Sequence, residues 1–272
     1  MPFEKARILI LCKTYPSPSS KYAETSCVAG ISEKGDLIRL YPVPFRMINE
    51  DRKFKKWQWI TAEISKTRND RRRESHRVNI DSIKCDNTPI PTSNGWMERK
   101  KSIENIPVFQ SLSELDNSRV QKGTTLAILK PKCGLRLEIS RAATPDWTVE
   151  EQNKLVQLQN NLDLFDQTDR SNIRLLRKVP YNFYYRSTSP EDDWKLKIVD
   201  WEARALYWNT KRSHGEKWEE PFRHKLEKAL PELDLMFLVG NIHRFSDQWL
   251  IISLFYPPRK PDISKQPSLF DD

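Results

Sequence analysis

Glycine is scarce, with seven in 272 residues. A phosphate-cradling loop built from backbone amides needs several glycines within a few positions. The chain has no such cluster, and no Walker or dinucleotide-binding pattern. Cysteine is also rare: Cys12, Cys27, Cys85 and Cys133 lie far apart, with no Cys-x-x-Cys pair and no Cys/His set at zinc spacing. A structural zinc or a disulfide framework is therefore not expected, and the thiols read as reduced, in the cytoplasm. His76, His214, His224 and His243 are scattered, and no Ser or Cys stands in a nucleophile-elbow context, so hydrolytic triads and redox chemistry have no candidate. No apolar run approaches the roughly 18 residues that a membrane-spanning helix needs. Residues 1–5 lead directly into a strand pattern rather than a secretory leader. No cofactor, metal or membrane span is expected.

What is abundant is charge. Forty-six Lys and Arg face thirty-seven Asp and Glu, a net charge of +9. That surplus points to polyanionic partners, nucleic acid before anionic membrane. Hydrophobic residues make up only 38%, but nine Trp, eight Tyr and eleven Phe compensate, because each aromatic ring buries a large area. The chain is expected to fold.

Residues 6–12 form a near-continuous apolar run and read as a buried first strand. Residues 26–31 and 37–42 flank the polar turn Ser32-Glu33-Lys34-Gly35-Asp36, a hairpin signal. Further strands are expected at 57–66, 77–83, 124–129 and 135–139. Two helical pieces are expected within 94–117, parted at Pro107, with Ser111 and Glu114 spaced as a capping box. Short strands with one helical insertion suggest a small barrel over residues 1–142. An amphipathic helix follows at 148–159, inside a linker spanning 143–169. A second, mixed unit is expected over 170–258: strands at 179–187 and 194–199, a helix from 200 capped by Asp200, a helix at 216–230 stopped by Pro231, and closing strands at 233–239 and 249–255. The fold class is therefore α+β, with a tail at 259–272. No internal repeat is visible apart from a clamp-like pentapeptide described below.

The opening hairpin Cys27-Val28-Ala29-Gly30-Ile31, with Ile38-Arg39-Leu40-Tyr41-Pro42-Val43-Pro44 after it, is similar to uncharacterised bacterial proteins described as carrying a dual oligonucleotide-binding-type barrel. The resemblance covers about the first half of the chain. It implies a barrel and nucleic acid as partner, and it transfers no catalytic residue.

Arg68, Arg71, Arg72, Arg73 and Arg77 crowd one inter-strand segment, with Arg52, Lys55, Lys56, Trp57 and Trp59 upstream. Guanidinium groups suit phosphate because they donate paired hydrogen bonds, and tryptophans stack on unpaired bases. These ten residues are the expected contacts to DNA or RNA; a solvated hairpin loop diluted by Asp70 and Glu74 is the alternative. Asp193, Lys195, Asp200 and Glu202 are the candidates for a metal-dependent nuclease, which needs clustered carboxylates and a nearby Lys. Helix capping explains Asp200 equally well.

Behind Pro257, Pro258 and Pro261 the chain ends in Gln266-Pro267-Ser268-Leu269-Phe270-Asp271-Asp272. The prolines bar a helix or central strand, so an extended, mobile tail is expected. Gln266, Ser268, Leu269 and Phe270 resemble the pentapeptide by which bacterial replication and repair proteins bind the sliding clamp, with Pro267 in place of the commoner Leu. The resemblance implies that Gln266 bonds at a pocket rim while Leu269 and Phe270 fill the pocket; back-folding of the tail is the alternative. Asn161-Leu162-Asp163-Leu164-Phe165 resembles the same motif, but its apolar residues are read as packing on the preceding helix. The expected function is a bacterial DNA-transaction protein in repair, mobile-element or phage-defence settings, tethered to the clamp. A nuclease, or a subunit partnered with an ATPase or nuclease, stands as the alternative.

Overall fold

The structure, a computed structural model, describes residues 2–19, 23–67, 70–132, 134–153, 177–189 and 192–259. Five strands close the N-terminal barrel: β1 (Glu4–Lys13), β3 (Ala23–Ser32), β4 (Leu37–Val43), β5 (Trp59–Lys66) and β6 (Ser75–Cys85). A short β2 (Ser17–Ser19) adds to the edge of β3. The order is β1-β5-β6-β4-β3, and β3 pairs back onto β1. The first half of β1 pairs with β5 (Glu4↔Ile64 to Leu9↔Trp59) and the second half with β3 (Ile8↔Ser32 to Lys13↔Val28). All pairings are antiparallel except β4 with β6, which run parallel (Arg39↔Ser75, Leu40↔His76). The expected turn at 32–36 is present, with Gly35 at φ 86°, a conformation that glycine adopts without a steric penalty.

Two helices follow. In α1 (Ser93–Ser102), Asn94, Gly95 and Trp96 all have positive φ, making one left-handed turn before the helix proper. α2 (Leu112–Lys122) is capped by Ser111, whose hydroxyl accepts from the Glu114 amide at 3.1 Å. The Glu114 carboxylate accepts from the Gln110 amide rather than from Ser111, so the box is offset by one residue. Between the helices, Pro107 leads into a short strand, β7 (Val108–Phe109).

The second sheet contains β8 (Leu126–Leu129), β9 (Leu135–Arg141), β10 (Tyr181–Ser187), β11 (Lys195–Ile198), β12 (Met236–Asn241) and β13 (Trp249–Phe255), in the order β7-β8-β12-β13-β11-β10-β9. Its plan repeats the first barrel. Strand one is broken: β8 pairs with the fourth strand, β12, and β9 pairs with the second strand, β10. The third and fifth strands, β11 and β13, run parallel. Between the third and fourth strands lie α3 (Trp201–His214), capped by Asp200 through the Ala203 amide at 2.9 Å, and α4 (Glu219–Arg223). α4 is preceded by a 3-10 turn and followed by a π-helical turn, where a single helix over 216–230 was expected.

A boundary was expected at 142; ahead of it, β8 pairs with β12 and β9 with β10, and neither pairs with a described N-terminal strand. The amphipathic helix expected at 148–159 begins at 149–153; the rest of it, the second pentapeptide at 161–165 and the C-terminal tail lie outside the described residues.

Three apolar clusters organise the molecule. Ile8, Ile10, Val28, Leu40, Ile60 and Ile64 fill the N-terminal barrel. Phe183, Tyr185, Leu196, Phe237 and Ile251 fill the second unit, covered by Tyr207, Trp218 and Phe222 from its helices. Between the units, Leu9, Leu11, Ala29 and Ile31 pack on Leu126, Ile128, Leu238, Ile252 and Phe255, with Trp57 and Trp96 at the joint. The unbroken apolar run Ile8–Leu11 now has its reason. Alternate residues point to opposite faces of a strand, and both faces of β1 are buried, one inside its barrel and one against the partner unit.

Candidate nucleic-acid interface

A groove of about 940 Å³ runs alongside the joint. From the N-terminal barrel it takes Thr25 and Cys27 of the second strand, Arg39 and Tyr41 of the third, and Asp70 and Arg72 of the loop between the fourth and fifth. From the second unit it takes Asn182 of the second strand, Lys197 of the third, and His243 and Arg244 of the equivalent loop. Both units therefore present the same part of the same strand plan to one cleft. In five-stranded barrels of this kind, the second-and-third-strand face and the loops at its ends are the surface that holds oligonucleotides.

The two loops are tied together. Arg72 donates to both oxygens of Asp70 and, across the groove, to the Asn241 carbonyl at 2.7 Å. Asp70 also accepts from Ser75 and faces His243 Nδ1 at 3.0 Å. Burial would raise the Asp70 pKa, but hydrogen bonds from Arg72 and Ser75 hold it well below the usual carboxylate range. Deeper in, Arg39 is 4% exposed and donates to Glu74 Oε1 at 3.3 Å and to the Thr125 carbonyl at 3.1 Å. Thr125 Oγ1 donates to the same carboxylate oxygen. Arg39 thus bridges the barrels, and Gly240 makes room for it: a Cβ there would sit 3.1 Å from the Arg39 guanidinium.

The charge of the groove is lopsided. Among the described residues, seven Lys and Arg side chains line it against two carboxylates. Asp70 is engaged by Arg72, and Glu151 by Lys178 at 2.6 Å. Among the described residues, Arg77, Lys197, Arg204 and Arg244 have no carboxylate partner. Burial lowers the pKa of Arg204 to about 10, and burial together with the neighbouring Arg204 lowers that of Lys197. Tyr41 is 52% exposed on the groove wall. Beside the groove, Arg71, Arg72, Arg73 and Lys122 line a notch of about 590 Å³ with no carboxylate among its described lining residues.

The expected contact residues separate sharply. Arg72 and Arg77 line the groove, and Arg71 and Arg73 line the notch; Arg68 lies outside the described residues. The upstream group lies away from the groove. Trp57 is 2% exposed, packed edge-on against Trp96 with Arg99 over its ring, and cannot stack on a base. Trp59 is half-buried under Arg7. Lys56 is buried against Glu202 and the Leu254 carbonyl, Arg52 pairs with Asp81, and exposed Lys55 does not line the groove. Hydrophobic burial at the joint has claimed the tryptophans.

The four nuclease candidates are not assembled. Asp193 pairs with Arg186 at 2.8 Å, and Lys195 with Glu138. Asp200 is a buried helix cap, and Glu202 bonds Lys56 at 2.9 Å. Asp193 precedes β11 and Asp200 follows it, so the strand separates them. Among the described residues, no group of three or more His, Cys, Asp or Glu is placed to hold a metal ion. No described helix is long and apolar enough to cross a membrane.

Sequence reasoning missed Arg39, Tyr41, Lys178, Lys197, Arg204 and Arg244. A signal existed for some of them. Arg39 and Tyr41 alternate with Ile38 and Leu40, and Lys195 and Lys197 alternate with Leu196 and Ile198, which sets each polar pair on one face of its strand.

Two family models match the chain. One, described as a domain of unknown function (DUF8758), matches residues 4–105. The other, also described as a domain of unknown function (DUF8757), matches residues 108–272. The chain belongs to the DUF8757 family, and the seam between the two matches falls just ahead of β7. No curated protein matches the chain. Among solved structures, one described as a murine DNA-binding protein bound with double-stranded DNA is 8% identical, with a TM-score of 0.30, over 95% of this chain and 98% of that chain.

Proposed function

We propose that this DUF8757 protein binds a nucleic-acid strand in the groove shared by its two units. One observation carries the reading. A single cleft collects the second-and-third-strand faces and end loops of both units, with four cations that no carboxylate neutralises among the described residues. Phosphates would neutralise them and release counterions, so affinity should fall with salt. Tyr41 offers a face for an unpaired base. Fluorescence anisotropy with labelled single-stranded DNA, duplex DNA and RNA tests this. The Arg77→Gln/Arg244→Gln double variant removes two exposed cations that make no ion pair among the described residues. It should weaken binding and lower the slope of log affinity against log salt by about 1.4–1.8, at 0.7–0.9 per phosphate contact. An unchanged slope would refute the reading.

The tail adds a second element to the proposal. Gln266, Ser268, Leu269 and Phe270 support a tether to a bacterial sliding clamp, which would raise the local concentration of the groove on replicating or repaired DNA. That role suits a factor in repair, mobile-element or phage-defence transactions. Pull-down of the clamp by the full chain, abolished by Leu269→Ala/Phe270→Ala, is the expected result; equal recovery with both chains would remove the tether.

A further inference from the structure

The buried cations of this protein mostly have acids. Arg39 has Glu74, Lys56 has Glu202 and Arg72 has Asp70. Lys197 and Arg204 break the pattern. Arg204 is 8% exposed on α3, yet among the described residues no carboxylate meets it. Its Nη1 donates to the Tyr181 carbonyl at 2.7 Å, its guanidinium lies 5.1 Å from the centre of the Phe183 ring, and its Nε is buried with no hydrogen-bond partner among the described residues. Lys197, half-buried on β11, has neither an acid nor a hydrogen-bond partner among the described residues, and the charge it feels is that of Arg204. Both line the groove.

Two like charges side by side, removed from water, are unfavourable unless something negative sits with them. Among the described residues, no carboxylate is paired with either of them. The anchored guanidinium is a fixed fork and the lysine a mobile point charge, a combination suited to the oxygens of a tetrahedral oxyanion. We propose that Lys197 and Arg204 form a seat for one phosphate group within the groove. This rests on the nucleic-acid reading above and makes it specific. The phosphate is supplied either by an internal phosphodiester or by a terminal phosphomonoester of the bound strand.

The test uses the full chain, ¹⁵N-labelled, with inorganic phosphate as the probe and chloride at equal ionic strength as the control. The Arg204 Nε–Hε resonance should shift saturably with phosphate and not with chloride. Lys197→Gln should weaken that titration by about tenfold, while the rest of its spectrum reports an intact fold; Lys197→Arg should restore it. With oligonucleotides, Lys197→Gln should lower the salt slope by about 0.7–0.9. If that loss appears equally for strands with 5′-phosphate and 5′-hydroxyl ends, the seat holds a phosphodiester; if only for the phosphorylated end, a terminal phosphate. Absence of a saturable phosphate shift together with an unchanged slope in Lys197→Gln overturns the seat while oligonucleotide binding by the unaltered chain still stands. A phosphate shift without any oligonucleotide binding keeps the seat and removes the nucleic-acid reading.

Discussion

Removing Glu74 strands a buried charge. The Arg39 guanidinium is 4% exposed, and its acid, Glu74, has a side chain 10% exposed. Without the carboxylate, Arg39 keeps the Thr125 carbonyl at 3.1 Å and a long contact to Cys27 Sγ at 3.8 Å, neither of which neutralises it. Thr125 Oγ1 loses its acceptor as well. Breaking a buried pair from one side typically costs about 3–5 kcal/mol, whereas replacing both partners with apolar residues of similar volume is often neutral. Glu74→Leu should therefore lower the unfolding free energy by about 3–5 kcal/mol, and the Arg39→Met/Glu74→Leu pair should recover most of that loss. Urea titrations read both through the midpoint at constant m-value. Because the pair is buried, the single-variant loss should persist at about 1 M salt, where the Debye length is roughly 3 Å. A loss under about 1 kcal/mol for Glu74→Leu, or a double variant weaker than the single, would refute the account of Arg39 as a charge held only by this partner.

Lys13 predicts a pH dependence. Burial, against the opposing pull of Glu202, lowers its pKa from 10.5 to about 8, with its ammonium 3.7 Å from the centre of the Phe45 ring and bonded to the Phe54 carbonyl. Between about pH 8 and 10.5 the native state has released this proton while the unfolded chain still holds it, so stability rises with pH across that window. Relative to Lys13→Met, the unaltered chain should gain roughly 2–3 kcal/mol from pH 7 to pH 10; a pH-independent difference would contradict the assignment. For the basic loop, Arg71→Gln/Arg73→Gln should weaken oligonucleotide binding while leaving thermal stability unchanged, because both side chains are exposed. Arg72→Gln should instead lower stability, since it removes the bonds to Asp70 and Asn241. Thermal melts beside the anisotropy titrations separate the two behaviours, and equal melting losses for both would contradict the assignment.

The α+β class, the hairpin at 32–36, the caps at Ser111 and Asp200 and nearly every strand were legible in the chain, because each is written in local spacing and local hydrogen bonding. The positive charge of the segment from Arg71 to Arg77 was legible too, since it is contiguous in the sequence. The aromatic contacts were misread. Trp57 looks the same in sequence whether it faces water or Trp96 and Phe255, and only the joint between the units decides.

Alternation and composition by themselves determined where strands and helices lie and that the chain carries surplus positive charge. The tertiary structure alone decided that residues 126–141 belong with the second unit, that two units with no visible sequence repeat share one strand plan, and that Arg39, Arg72, Lys197 and Arg204 meet at one groove. The physical reason is that strand pairing is non-local. A residue's spacing along its own strand states which face it occupies, but the neighbour it meets is chosen by the closure of each sheet and by the burial of apolar faces between the two.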